Sequence, residues 1–206
     1  MKIPGGYIVA IEGIDAVGKN TQSLLLSNQL RRRGVKTVLM SFPDYHTPIG
    51  KQIKSFLSRK RTYPAELQHI LFAANRWEKY EVIQSHLRAG KTIIIDRYTE
   101  SNLAYGKANG LEVDWLANLE KGLPEADLVV VLDASPQSMA SRRPGASKDA
   151  YERSSALQRK ALKTYRELAS NRGWELIDAN RPVGDVHAAV LKAVRKGLER
   201  DRGASI

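Results

Sequence analysis

Short apolar runs alternate along this chain with longer amphipathic segments. The short apolar runs predict five strands, at 7–11, 35–42, 91–96, 128–132 and 173–177. Apolar residues at helical spacing predict helices between and after them, at about 19–33, 49–57, 64–89, 99–109, 113–121, 150–169 and 183–199. Because strands alternate with helices, the pattern predicts an α/β fold of three layers, α/β/α, with a five-stranded parallel sheet.

The length of 206 residues is typical of one domain, and no repeat, linker or low-complexity segment divides it. We therefore expect a single domain over 1–206, with a frayed tail at 200–206. A basic segment at about 142–149 contains both Pro and Gly. That composition fits a short lid that closes over phosphates, and it fits a solvated turn equally well.

Composition narrows the class of protein only in part. Hydrophobic residues make up 42% of the chain and charged residues 27%, which is ordinary for a globular protein. The net charge of +11 indicates an acidic partner, which means nucleotides, nucleic acid or a membrane surface. The absence of Cys excludes disulfides, zinc–thiolate sites and cysteine catalysis. With no apolar run of the roughly 20 residues that span a bilayer, we expect no membrane contact and a cytoplasmic location.

The first predicted strand runs directly into a glycine loop and then a helix. This context, with the sequence GIDAVGKN, matches the phosphate-binding pattern GxxxxGK[ST] at every position but the last. The glycines let successive backbone N–H groups point at phosphate oxygens, and the lysine reaches the β and γ phosphates. The predicted ATP-binding residues are therefore Gly13, Ile14, Asp15, Ala16, Val17, Gly18, Lys19, Asn20 and Thr21.

Two residues are candidates for holding Mg²⁺. Asn20 stands where the pattern has a hydroxyl residue, and its amide oxygen is still a hard oxygen ligand. Asp96 ends the third strand, which is the Walker B arrangement beside a phosphate loop. Arg97 follows at the same sheet edge, where it can bind a phosphate or pair with Asp96.

Phe72 and Arg76 are four residues apart on one predicted helix, so an aromatic plane and a fork of donors project together. From spacing alone, the favoured interpretation is structural: Phe72 belongs to the core and Arg76 forms a salt bridge.

The sequence resembles the thymidylate kinase family across nearly its whole length. The matching segments are EGIDAVGKNTQ at 12–22, FP at 42–43, LFAANRWE at 71–78, DRY at 96–98, GLPEADLVVVLD at 122–133, the basic segment at 142–148 and YERSSALQRKAL at 151–162. Their order and spacing together are highly specific. The resemblance implies a P-loop NTPase fold and Mg²⁺-dependent transfer of the ATP γ-phosphoryl group to dTMP, giving dTDP and ADP.

The resemblance also implies roles for individual residues. Phe72 would stack on thymine and Arg76 would bond its carbonyl edge, which replaces the structural interpretation of that pair. Asp15 would contact the deoxyribose 3′-hydroxyl, and Arg97 would bind the dTMP phosphate. The other implied substrate-binding residues are Phe42, Ser101, Tyr105, whose ring would disfavour ribonucleotides, and Gln158. Asn180 and Arg181 would lie beside the ATP adenine, and relatives are homodimers.

Two positions depart from the pattern of many family members. Ala16 stands where many have an arginine, whereas others place the transition-state arginine in the lid. We therefore expect Arg142 or Arg143 to supply that charge. Tyr45 stands where some relatives have a phosphate-binding arginine, so Arg97 would carry more of the acceptor phosphate.

The sequence is also compatible with other functions. Within the kinases, the acceptor is dTMP or another monophosphate such as dUMP or UMP, or the protein is a deoxynucleoside kinase of related fold. Outside the enzymes, the basic charge fits a nucleotide-binding or nucleic-acid-binding module. For the kinase we expect ATP and dTMP as partners and no nucleic acid.

Overall fold

The computed structural model describes residues 5–135 and 155–203. Along these residues the strands are β1 (Tyr7–Glu12), β2 (Thr37–Ser41), β3 (Thr92–Asp96), β4 (Leu128–Asp133) and β5 (Glu175–Asp178). The helices are α1 (Lys19–Arg32), α2 (Pro48–Leu57), α3 (Ala65–Trp77), α4 (Tyr80–Arg88), α5 (Thr99–Ala108), α6 (Val113–Glu120), α7 (Ser155–Arg172) and α8 (Val183–Gly203). Every predicted strand is present, and the predicted α/β fold class is confirmed.

The sheet is parallel throughout, with strand order β2-β3-β1-β4-β5. All six residues of β1 are buried, because this central strand pairs with β3 on one side and β4 on the other. The helix pair α1 and α8 and the helix pair α5 and α7 pack around the sheet. The carboxyl ends of β1 and β3 therefore meet at the switch point of the strand order, where parallel α/β sheets bind ligands.

The predicted helix at 64–89 is two helices. It breaks at Glu78 and Lys79, whose side chains contact the segment 44–49 that follows β2. Glu78 accepts from the backbone N–H of Ile49 at 3.1 Å. Asn75 donates from Nδ2 to a carboxylate oxygen of Glu78 at 3.0 Å, and Lys79 forms an ion pair with Asp44 at 2.7 Å. Helical spacing detected both helices but not the break, because the break depends on these contacts.

The carboxyl-terminal helix is longer than predicted. We expected fraying from residue 200, but α8 continues to Gly203. Its buried residues Val186, Val190 and Val194 belong to the main core. Within the described residues, no helix is long and apolar enough to cross a membrane. The predicted lid at 142–149 lies outside the described residues.

Candidate active site

A cavity of about 360 Å³ opens at the carboxyl edge of β1, β2 and β3. It contains most of the residues that the sequence singled out. Its lining consists of Asp15, Ala16, Gly18, Lys19, Asn20, Thr21, Ser41, Phe42, Pro43, Tyr45, Leu57, His69, Phe72, Arg76, Asp96, Arg97, Ser101, Asn102 and Tyr105. Predicted ATP-binding residues and predicted substrate-binding residues therefore line the same cavity.

The phosphate loop has the backbone that its glycines predicted. Gly13 and Gly18 have φ values of 133° and 101°, and a Cβ on Gly13 would lie 2.6 Å from the carbonyl oxygen of Leu132. Ile14 and Val17 are buried, so they can serve a ligand only through their backbone. The loop therefore presents main-chain groups and Lys19 to the cavity.

Lys19 is 7% exposed, and its Nζ donates to the carbonyl oxygen of Ile14 at 2.8 Å. Burial and the positive charge of Arg97 lower the pKa of Lys19 to about 8, while nearby carboxylates, with Asp96 the strongest, oppose that shift. A phosphate group entering the loop would add negative charge beside this amine and raise its pKa.

Arg97 and Asp15 form an ion pair in the middle of the cavity. Burial raises the pKa of Asp15, but Arg97 and Lys19 outweigh it, and the net pKa is lowered. Burial lowers the pKa of Arg97, but Asp15 outweighs that too, and the pKa lies above its ordinary value. Both groups are therefore charged at neutral pH.

Gln158 of α7 does not line the cavity but holds Asp15 from behind. Its Nε2 donates to the Asp15 carboxylate, and its Oε1 accepts from the Asp15 backbone N–H at 3.2 Å. The hydroxyl of Tyr105 donates to the same Oε1 at 3.4 Å and accepts from Arg97. Two predicted substrate-binding residues thus fix the orientation of the phosphate-loop carboxylate.

The far end of the cavity is aromatic and carries one paired arginine. Phe72 packs edge-on against Phe56 and His69, with ring centroids 5.6 and 5.7 Å apart, and it also lines the cavity. Arg76 is 2% exposed and forms a salt bridge with Glu120, at 2.9 Å from its Nε. The salt bridge expected from spacing alone is present, and Arg76 also lines the cavity.

A buried polar network lies behind Arg76, and sequence reasoning missed all its other members. Glu120 accepts from Asn102 Nδ2 at 2.6 Å, and Asn102 Oδ1 lies 2.6 Å from His69 Nδ1. Burial lowers the pKa of His69 to about 4, so its ring is neutral at pH 7. Only the interrupted apolar pattern of α3, α5 and α6 hinted at these polar positions.

The candidate metal ligands Asn20 and Asp96 both line the cavity. Within the described residues, no cluster of three or more His, Cys, Asp or Glu side chains could hold a metal ion by itself. One carboxylate and one amide fit the sparse protein ligation of Mg²⁺ that also binds substrate phosphates.

The remaining predicted residues lie elsewhere. Asn180 and Arg181 are exposed, do not line the cavity, and hydrogen-bond to Asp178. Gln22 of α1 donates to the carbonyl of Val183 at 3.1 Å, which ties their loop to the phosphate-loop helix. Arg142 and Arg143 lie outside the described residues.

Comparison with known proteins identifies the family. The family model described as thymidylate kinase matches residues 11–190. This chain belongs to the thymidylate kinase family. Thymidylate kinase from Schizosaccharomyces pombe is 36% identical over 194 residues, which cover 92% of this chain and 91% of the relative. Human thymidylate kinase is 33% identical over 205 residues, covering 96% of each chain.

A solved structure of a thymidylate kinase, from Candida albicans, has a similar fold. The two chains superpose with a TM-score of 0.83 and 30% sequence identity. The match covers 95% of this chain and 93% of the other. The shared fold therefore includes the elements that build the cavity.

Proposed function

We propose that this protein transfers the γ-phosphoryl group of ATP to dTMP, giving dTDP and ADP. The observation that carries this proposal is the cavity of a thymidylate kinase family member with two unlike ends. One end has the phosphate loop with Lys19 and Arg97, and the other has Phe72 and the guanidinium of Arg76. A monophosphate nucleoside has the same polarity, with an anionic end and a flat aromatic end.

The acceptor is positioned by groups on several elements. Phe72 offers a face to thymine and Arg76 offers donors to its carbonyl edge. Tyr105 and Ser101 flank the sugar and phosphate, and Phe42 lines the same pocket. Gln158 acts behind the pocket by holding Asp15. Asp15 orients the 3′-hydroxyl while Arg97 binds the phosphate. Each member of the Asp15–Arg97 ion pair therefore also contacts the ligand.

The donor is bound mainly by backbone groups and Lys19. The phosphate loop from Gly13 to Thr21 surrounds the ATP phosphates, and the loop with Asn180 and Arg181 lies beside the adenine. Asn20 and Asp96 would hold Mg²⁺, which neutralises charge between the β and γ phosphates when bound. No protein nucleophile is required, because the dTMP phosphate itself attacks in line.

Two other functions are less well supported. A kinase for dUMP or UMP uses the same phosphate chemistry and differs only at the base. Membership of the thymidylate kinase family does not favour a nucleic-acid-binding module. Such a module also does not require a cavity lined by a phosphate loop.

A coupled ADP-release assay tests the proposal with ATP, Mg²⁺ and dTMP, dUMP, UMP, CMP, AMP or thymidine in turn. We expect the highest kcat/KM with dTMP. A preference for another monophosphate would overturn the roles assigned to Phe72, Arg76 and Tyr105. Absence of turnover with every acceptor would overturn the proposed kinase activity. Omitting Mg²⁺ tests whether the reaction requires the metal. Replacing Asp96 with Asn tests whether Asp96 holds it.

We also propose that the protein is one cytoplasmic domain that acts as a homodimer. Leu67, Ile70 and Trp77 share one face of α3 and are 36%, 41% and 39% exposed, which is unusual for large apolar side chains. Light scattering during size exclusion should give twice the chain mass of 23.0 kDa. Ile70→Glu should reduce that mass if this face is the interface.

A further inference from the structure

Glu12 is the last residue of β1, and its side chain is wholly buried. Donors from three parts of the chain converge on it. The backbone N–H of Tyr98 donates to Oε1 at 2.6 Å, while the hydroxyls of Ser101 and Tyr165 donate to Oε2 at 2.6 and 2.8 Å. These bonds offset part of the cost of burying the carboxyl group, and burial still leaves its pKa raised.

Both peptide groups that flank Arg97 are tied to the end of β1. The N–H of Arg97 donates to the carbonyl of Ile11 at 3.1 Å, and the next N–H, that of Tyr98, donates to Glu12. Arg97 has φ of 65°, a left-handed conformation that is unfavourable for a residue with a Cβ. A strained residue persists only where its surroundings hold it, and here β1 and Glu12 do so.

Glu12 also acts on the guanidinium of Arg97. The Ser101 hydroxyl donates a hydrogen bond to Glu12 and accepts one from Nη1 of Arg97 at 3.3 Å. Burial raises the pKa of Glu12, while its hydrogen bonds and the charge of Arg97 oppose that effect. Because Glu12 does not line the cavity, its influence on a ligand passes through Arg97 and Ser101.

We propose that Glu12 is a positioning residue that holds Arg97, backbone and side chain, in the orientation that receives the acceptor phosphate. This inference rests on the proposed function, since the acceptor phosphate is that of dTMP. It concerns the acceptor phosphate, whereas the phosphate loop, which begins at the next residue, Gly13, acts on ATP.

The test compares Glu12→Gln with the wild type. Glutamine keeps the size of the side chain but replaces one carboxyl oxygen with an NH₂ group, which cannot accept from Tyr98, Ser101 or Tyr165. We expect KM for dTMP to rise tenfold or more, with KM for ATP changed less than twofold and kcat changed less than threefold. KM rises with kcat nearly unchanged when a substitution weakens binding of the substrate and of the transition state equally.

Asp127→Asn is the matched control. The Asp127 carboxylate accepts from the backbone N–H of Ile8 at 2.8 Å, at the opposite end of β1. This variant should lower Tm without changing either KM. If Glu12→Gln behaves in the same way, or raises both KM values equally, Glu12 only supports the fold and the proposal is wrong.

Tyr165→Phe keeps the test possible if Glu12→Gln does not fold. It removes one donor to Glu12 but leaves the carboxyl group and the Tyr98 bond, so KM for dTMP should rise two- to fivefold with KM for ATP unchanged. An unchanged KM for dTMP would contradict the proposal.

A readout without nucleotide separates this inference from the proposed function. In NMR spectra, the Tyr98 amide should be strongly protected from exchange in the wild type and lose at least tenfold protection in Glu12→Gln. Inorganic phosphate should shift the Arg97 side-chain resonance in the wild type but not in the variant. Unchanged protection and equal shifts would overturn the positioning role, whatever acceptor the enzyme prefers.

Discussion

At the scale of single residues, the cavity is built from charges that are already paired. Asp15 pairs with Arg97 and Glu120 with Arg76, so both arginines that line the cavity have a carboxylate partner. Pairing keeps these buried guanidinium groups charged and limits their rotamers before a ligand arrives. Lys19 differs, because its Nζ donates only to a backbone carbonyl in the bonds described.

The titration of Lys19 gives the first prediction. With a pKa of about 8, roughly half of the amine is neutral at pH 8, and bound phosphates should restore its proton. ATP binding at pH 8 should therefore take up about half a proton. Calorimetry in two buffers of different ionisation enthalpy measures this uptake.

The control for this prediction is Lys19→Met, which should bind ATP more weakly and without the lysine-linked uptake. Equal binding enthalpies in both buffers for the wild type would contradict it. The effect should disappear near pH 6, where the amine is protonated before ATP arrives.

At the scale of elements, the loop after β2 is fixed by its contact with α2. Thr47 caps α2 by accepting from the Gly50 N–H at 3.0 Å, and Asn75 of α3 donates to the same hydroxyl at 2.8 Å. A Cβ on Gly50 would lie 1.8 Å from the carbonyl oxygen of Asp44. Because Pro43 and Tyr45 of this loop line the cavity, packing of α2 determines part of the site's wall.

We therefore predict that Gly50→Ala destabilises the protein by about 1–3 kcal/mol, since backbone must move to admit the methyl group. Urea unfolding measures the change. Gly184→Ala is the matched control in the first turn of α8, where a Cβ meets nothing within 4 Å. It should be neutral or stabilising by up to about 1 kcal/mol. Equal effects of the two changes would contradict the packing argument.

Arg142 and Arg143, in the segment that the sequence predicts to be a lid, give a second prediction at this scale. Ala16 leaves the phosphate loop without the arginine found in many relatives, so Arg142→Ala or Arg143→Ala should lower kcat strongly. An arginine finger contributes about 10³-fold or more. If neither variant lowers kcat by more than about threefold, the transition-state charge comes from another group. Lys148→Ala, in the same segment, is the control.

At the scale of the whole molecule, one buried acid makes stability depend on pH. Glu100 is 7% exposed, and within the described residues its Oε2 has no hydrogen-bond partner. Burial and the nearby charge of Glu12 raise its pKa to about 8, against an ordinary value of 4.5. The folded protein keeps a proton that the unfolded chain releases, so stability falls as pH rises from 4.5 to 8 and then levels off.

Glu100→Gln should remove the part of this dependence that Glu100 contributes, because glutamine does not titrate. Each unit of pKa shift corresponds to about 1.4 kcal/mol. The variant should therefore gain several degrees in Tm over the wild type at pH 8.5, and much less at pH 5. Thermal unfolding at both pH values measures the difference. The exposed Glu125→Gln should show no such trend, and a pH-independent difference for Glu100→Gln would contradict the prediction.

The sequence by itself determined the strands, the phosphate loop and the order of the helices. These depend on local periodicity and on glycines whose backbone conformation a short motif specifies, so they can be read within a few residues. Family resemblance also identified Asp15, Phe72, Arg76, Arg97 and Tyr105, which the fold brings into one cavity. Their individual roles in binding stay predictions.

Only the tertiary structure decided which polar groups meet. Glu12 and Tyr165 are 153 residues apart, and Arg76 and Glu120 are 44 apart. No local pattern relates such positions, because their contact depends on how helices pack across the sheet. The break between α3 and α4 has the same origin, in contacts of Glu78 with Ile49 and of Lys79 with Asp44. The buried partners of the site, unlike its motif, follow from packing.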